Sequence, residues 1–344
     1  MTSTEENAPG WATAADVAAR AGVSRSAVSR TFTPGASVSP ATRERVLKAA
    51  DELGYQVNRL ARSVIQRQST LVGVVVPGMH NEFVVQLLGP IMRNLARHSL
   101  APLLMDVRDP EQMESTLRYL LQYRVAGVIF TSGSPPIELA REYLRLQVPV
   151  AMINRDANLE SVDVVSSDNR HGGALAAHCL IAAGARRLAY VNLPSGTYSG
   201  VSRGAGFSEA AAMSGQPSIS VELLQGRLAG YEGGAAIAAQ LLDRPAERRP
   251  EGVFCANDTL AFGFMDAARH TFGLRIPEDI AVVGFDDVPM AAAASFQLTS
   301  VRQDIEGLAA EAVDRLVERM SDPTRPARSQ TLPVELVERR TCRR

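Results

Sequence analysis

Leu71-Val72-Gly73-Val74-Val75-Val76-Pro77 is a short, nearly unbroken apolar run, rich in valine and closed by proline. Its length and β-branched content predict a strand buried on both faces. Toward the C-terminus the same kind of run recurs. APLLMD stands at 101–106, AGVIFT at 126–131, PVAMIN at 149–154, RLAYVN at 187–192, GVFCAN at 252–257 and IAVVGF at 280–285. Helical stretches separate most of them: Phe83–His98, Glu111–Tyr123, His171–Ala183 and Thr259–Phe272. Strand and helix alternating in this way predict parallel sheets with helices on both faces. The rhythm fills 70–344, too much chain for one comfortable domain, so two doubly wound α/β lobes are expected. The break between them is expected near Asn154–Asp168, where polar residues interrupt the pattern. Ligands of such sheets bind beyond the carboxyl ends of the strands, so two lobes imply a ligand in a cleft and closure about a hinge.

Composition narrows the class. The 344 residues are 46% hydrophobic and 21% charged, with a net charge of -1, which suits a globular protein and not a disordered or fibrous one. No apolar run approaches the roughly 18 residues a membrane span needs. Glu5 and Glu6 in the first residues do not fit a secretory signal. Cys179, Cys255 and Cys342 are isolated, which predicts a reducing cytoplasm with no disulfide or zinc framework. Lys48 is the only lysine, so arginine carries nearly all the positive charge. A near-zero sum leaves open a nucleic-acid partner, because the distribution of charge matters more.

Upstream of Leu71 the character changes to short helical patterns. Thr13 followed by Asp16 reads as a capping box opening a helix through Ala21, stopped by Gly22. Ser24 can cap a second helix, Arg25–Arg30. Helix, tight glycine turn and helix make a helix-turn-helix. Ala18 and Ala21 allow close approach, and Val23 and Val28 fill the wedge. The exposed face of the second helix then offers Arg25, Ser26, Ser29 and Arg30. Arginine can grip guanine with two hydrogen bonds, and serine can reach a base edge or a phosphate. Ser39-Pro40 opens a third helix that runs to about Leu53 and stops at Gly54, with Val46, Ala50 and Leu53 on its buried face.

In the body, Thr131, Asn154, Asn257 and Asp286 each end an apolar run and should face the crevice. Arg203, in SRGAGF, should reach in from the loop after RLAYVN. Carboxylate or amide acceptors beside a fixed guanidinium suit a polyol, whose hydroxyls need both.

DVAARAGVSRSAVSR, followed by VSPATRERVLKAADELGYQVNRLARS, closely resembles the DNA-binding head of the lactose-repressor/galactose-repressor (LacI/GalR) transcription regulators. LVGVVVP, AGVIFTS, VPVAMINRD, SDNRHGG, CANDTLAFG and DIAVVGFDD continue the resemblance in the family's order. It implies a homodimer whose subunits carry a head, a hinge helix and a body like the periplasmic sugar-binding proteins. The domains would be a tail at 1–12, a head at 13–57, a hinge at 58–69 and the body at 70–344. By position, Arg25, Ser26 and Arg30 would read bases, while Thr13, Ser24 and Ser29 would hold the phosphate backbone. Asn58 would cap the hinge helix, with Arg59 beside the DNA. Val64 stands where the family has a leucine that wedges into the minor groove. So short a helix needs a partner to form, which would make its ordering the sensor. Arg203, Asn257 and Asp286 match the main effector contacts, Asn154 and Thr131 secondary ones, and Phe83 a residue at the cleft mouth. Asp168-Asn169 is expected to cap the next helix, and Tyr231 could replace a cleft-closing aromatic missing near Ala229.

The expectation is therefore a cytoplasmic regulator, a repressor released by a sugar or sugar acid, with corepression using the same architecture. It would bind near-palindromic double-stranded DNA and need no cofactor or metal. The alternative is a solute-binding protein for sugar transport; a sugar-metabolising enzyme ranks third. Gly204-Ala205-Gly206 lacks the third glycine of a dinucleotide fingerprint, and the five histidines lack metal-ligand spacing.

Overall fold

The structure is a computed structural model that describes residues 11–33, 35–57, 69–79, 81–107, 110–131, 137–155, 162–194, 197–216 and 218–343. The chain divides into two compact units after Ser69.

The first unit holds α1 (Ala14–Ala21), α2 (Arg25–Thr31) and α3 (Pro40–Glu52). Each begins at a side-chain cap: Thr13, Ser24 and Ser39 accept from the backbone N–H three residues on. Val17, Ala18, Ala21, Val28, Val46, Ala49 and Ala50 form the core, with Val23, Phe32 and Tyr55 packed on it. Leu53, expected on the buried face of α3, is 38% exposed. It lies past the last turn as the C-cap, and Ala49 takes the inward position. Arg43 Nη1 donates to the Thr31 carbonyl at 2.9 Å and fixes α3 to the end of α2. The expected hinge helix, with Asn58, Arg59 and Val64, lies outside the described residues.

The second unit contains two six-stranded sheets. The first runs β11-β5-β4-β3-β1-β2, all parallel, from β1 (Leu71–Val76), β2 (Ala101–Asp106), β3 (Gly127–Phe130), β4 (Val150–Ile153), β5 (Asp163–Ser167) and β11 (Ser329–Leu332). The second runs β12-β10-β9-β8-β6-β7, from β6 (Arg187–Asn192), β7 (Ser220–Gln225), β8 (Gly252–Cys255), β9 (Ala281–Asp286), β10 (Thr299–Gln303) and β12 (Val334–Val337). Only β12 is antiparallel to its neighbour. The helices are α4 (Glu82–Arg97), α5 (Pro110–Gln122), α6 (Ile137–Arg145), α7 (Asn169–Ala182), α8 (Tyr198–Met213), α9 (Gly230–Leu242), α10 (Asp258–Asp266) and α11 (Ile305–Ser321).

The unbroken apolar strands are explained by burial on both faces. Val72, Val74 and Val76 of β1 pack into a core with α4 and α11. Val75 packs into another core with Leu117 and Leu120 of α5 and Tyr143 of α6. Alternate residues of one strand thus meet different helices. The break expected at Asn154–Asp168 falls at the end of that window, because β5 lies inside it and pairs with β4 before the chain crosses. The chain leaves the first sheet after β5, returns between β10 and β11, and leaves again between β11 and β12. A buried ion pair holds the return segment: Arg319 Nε meets Asp163 Oδ2 at 2.6 Å, both nearly inaccessible.

Candidate functional site

Two groups of residues stand out, one on each unit. On the first unit, the capping box of α1 is complete. Thr13 N–H donates to Asp16 Oδ2 at 2.8 Å, and Asp16 N–H donates to Thr13 Oγ1 at 3.3 Å. Thr13's backbone N–H and hydroxyl hold the Asp16 carboxyl below its ordinary range. Gly22 sits at φ 64, the left-handed conformation that ends α1 and turns the chain into α2. Ser24 Oγ caps α2 and lies 2.8 Å from Ser26 Oγ. Arg25, Ser26, Ser29 and Arg30 are all exposed along α2, while Ala27 and Val28 face the core. Among the described residues, neither Arg25 nor Arg30 has an ion pair. Two free guanidiniums on one exposed helix can each present a planar pair of donors.

On the second unit, strand ends converge on a buried polar cluster. Asn154 follows β4 at φ 52. Its Oδ1 accepts from Ser167 N–H and its Nδ2 donates to Gln303 Oε1, both at 2.8 Å. Ser167 Oγ donates to the same Gln303 oxygen at 2.6 Å. Gln303 Nε2 donates to Asp286 Oδ1 at 2.6 Å. Arg203 Nε donates to Asn169 Oδ1 at 2.8 Å, and its Nη2 lies 3.7 Å from Asp286 Oδ1. The guanidinium carbon sits 3.5 Å over the Phe285 ring. Burial pulls the Arg203 guanidinium down, against Asp286. Burial pushes the Asp286 carboxyl up to about 7, with Arg203 and Gln303 opposing and Glu82 assisting.

Of the expected ligand residues, the structure joins Asn154, Arg203 and Asp286. Thr131 is fully buried, with Oγ1 donating to the Val75 carbonyl. Asn257 caps α10, accepting from Leu260 N–H at 2.9 Å. Phe83 lies within the apolar core of the first lobe. Arg203 comes from within α8, not from a loop: Gly200, Gly204 and Gly206 hide the helical pattern in the sequence. Asp168 does cap α7, but Asn169 belongs to the cluster. Tyr231 donates its hydroxyl to Asp266 on the neighbouring helix.

Asn169, Ser167 and Gln303 were not foreseen. Gln303 ends β10 immediately before a capped helix, the same strand-end signal that marks Asp286. A cavity of about 560 Å³ opens beside Asp286 and Gln303, with Gln86 on its wall. Gln86 Nε2 is buried there without a partner among the described residues. The volume is within the usual range for a small-molecule site. Asp286 and Gln303 are the members of the cluster that line it, while Arg203 and Asn154 stand behind them. Chemically, it offers one cation, one carboxylate and several amides to a hydroxyl-rich ligand. No group of three or more potential metal-ligating side chains occurs among the described residues, and no helix among them is long and apolar enough to cross a membrane.

Residues 13–58 match the profile of bacterial regulatory proteins of the lacI family, and residues 177–342 match that of the periplasmic binding protein-like domain. The HTH-type transcriptional regulator DegA of Bacillus subtilis (strain 168) is 31% identical over 329 residues, covering 94% of this chain and 96% of that protein. The HTH-type transcriptional regulator CelR of Thermobifida fusca is 33% identical over 328 residues, covering 93% and 94%. Among solved structures, the lac repressor dimer bound to operator and the anti-inducer ONPF aligns with a TM-score of 0.83 at 27% identity, covering 96% of this chain and 99% of that one. The CelR–cellobiose complex aligns with a TM-score of 0.71 at 31% identity, with the same coverage. With both units matched in order along nearly its whole length, the chain belongs to the lacI family of bacterial regulatory proteins.

Proposed function

We propose that this chain is a sequence-specific DNA-binding repressor, acting as a cytoplasmic homodimer whose hold on its operator is modulated by a sugar or sugar acid. One observation carries this: a single chain joins a capped helix bearing free Arg25 and Arg30 to a body whose strand ends converge on Arg203 and Asp286. Arg25 and Arg30 read guanines in the major groove, with Ser26 between them, while Thr13, Ser24 and Ser29 fix the phosphate backbone. Asn58, Arg59 and Val64 supply the hinge contacts to the minor groove. Two heads meet two half-sites of a near-palindromic operator.

In the body, Asn154, Arg203 and Asp286 bind ligand hydroxyls, Thr131 and Asn257 shape the strand ends around them, and Phe83 backs the first lobe. The ligand acts only through a difference in affinity between two arrangements of the dimer. The relative in complex with cellobiose supports a carbohydrate ligand for the same fold. No cofactor enters this scheme, and no bond of the ligand is made or broken.

The match of the body to periplasmic binding proteins favours one rival, a sugar carrier for transport. Gel-shift selection of genomic fragments, repeated with a panel of sugars and sugar acids, separates the two. A repressor retains a small set of fragments and releases them with one sugar. A carrier binds sugar and retains no fragment at any sugar concentration.

A further inference from the structure

Cys179 and Cys342 stand 163 positions apart in sequence, and their isolation argued against a disulfide. The fold brings them into contact, the Cys179 Sγ directly against the Cys342 Sγ. Both are buried free thiols, as is Cys255. Cys179 lies on α7; Cys342 lies on the segment after β12. That segment is stitched to the second sheet. Thr341 Oγ1 donates to the Val282 carbonyl at 2.7 Å and accepts from Thr299 N–H at 2.8 Å. Arg340 N–H donates to the Gln297 carbonyl at 2.9 Å.

We propose that Cys179 and Cys342 form an oxidative modification site, where a peroxide closes a covalent cross-link between α7 and the segment after β12. One sulfur, as thiolate, attacks a peroxide oxygen. The O–O bond breaks, and hydroxide leaves and takes up the thiol proton, giving a sulfenic acid and water. The second sulfur attacks the sulfenic sulfur, the S–O bond breaks, and a second water leaves with the remaining thiol proton. The two thiols lose two electrons and two protons in all; the peroxide gains them. The sulfurs already touch, so the bond closes between groups that the fold has placed side by side. The Cys179 thiol against it, and then burial, push the Cys342 thiol up. The pair is therefore slow to react, and a small uncharged oxidant fits it better than a bulky disulfide. The other end of α7 carries Asn169, the acceptor for Arg203. The cross-link thus braces the helix that orients the ligand cluster.

The test treats the intact protein with hydrogen peroxide or with reductant, denatures it, alkylates it and maps it by non-reducing mass spectrometry. The reduced sample should show three alkylated cysteines. The oxidised sample should show one, Cys255, with a linked Cys179–Cys342 peptide lighter by two hydrogens. Its thermal midpoint should rise by roughly 5 °C or more. Cys342→Ser should lose both the linked peptide and the rise, and Cys179→Ala serves if that variant does not fold. Three alkylated cysteines after oxidation, sulfinic acid at either site without a link, or a link through Cys255 or between chains would each overturn the proposal.

Discussion

Arg30 is an exposed cation on α2 whose neighbours Ala27 and Val28 are committed to the core. Its removal should therefore leave the head folded. Arg30→Ala should weaken operator binding roughly tenfold or more, the equivalent of one bidentate base contact, while sugar affinity stays unchanged. Fluorescence anisotropy with a labelled operator reads this, and a loss of less than about twofold would remove Arg30 from the base-reading set. Asp286 makes a different kind of prediction. Its carboxyl sits at about 7 in the folded chain against an ordinary 3.8, chiefly through burial. The folded chain therefore keeps a proton that the unfolded chain releases between these values. The stabilising contribution is full below about pH 4 and is lost as pH rises through about 7. Asp286→Asn cannot ionise, so its stability relative to the parent should climb from about pH 4 to about pH 7, by up to about 4 kcal/mol. Asp258 is also held high, first by burial and then by the Asp286 charge, so Asp286→Asn relieves it as well and adds to the difference. Urea midpoints across that range test this; a constant difference would mean Asp286 is ionised throughout. At this scale Asn154, Arg203 and Asp286 were legible because each stands in a distinctive local pattern. Asn169 and Gln303 were not, because a non-local fold brings them to Asp286 and Arg203.

Helix α7 and helix α8 touch backbone to backbone. A Cβ on Gly173 would lie 2.0 Å from the Arg203 carbonyl oxygen, and one on Gly206 would lie 1.9 Å from that of Arg170. Gly206→Ala must force the helices apart and carry Arg203 away from Asn169. It should cost roughly 2–3 kcal/mol or more and weaken sugar binding along with stability. Thermal unfolding and calorimetry should move together; unchanged sugar affinity in a destabilised Gly206→Ala would mean that α8 does not position the cluster. The elements themselves were unequally visible. The buried parallel strands, such as Leu71–Val76 and Ala281–Asp286, announce themselves as apolar runs because both faces are covered. Ser220–Gln225 and Ser329–Leu332 are edge strands with mixed burial, so their sequences carry half the signal or less. Asp163–Ser167 is fully buried, but its aspartate and two serines disguise it, and the aspartate is explained by Arg319 and the Arg328 N–H, far along the chain.

At the scale of the molecule, the proposed dimer presents two heads to two half-sites, so binding should depend on both. Scrambling one half-site should cost the intact protein roughly a hundredfold in affinity. Arg25, Arg30 and Arg59 of two heads should displace counterions from the DNA, so affinity should fall by roughly 10³ between 50 and 200 mM salt. Titration of labelled duplexes measures both; equal affinity for half and whole sites would mean that one head binds alone. The α/β class of the body and the helical class of the head could be read from the sequence. The first crossing between the lobes, after Ser167, could be read as well; the two later ones, on either side of β11, could not. That interlacing has a consequence during synthesis. When a ribosome has delivered Ser167, the first sheet still lacks β11, and its core still lacks α11. Nearly all of the second lobe must emerge before those pieces arrive. The nascent first lobe therefore waits with an open edge and an uncovered valine face, and the two lobes reach their finished state almost together.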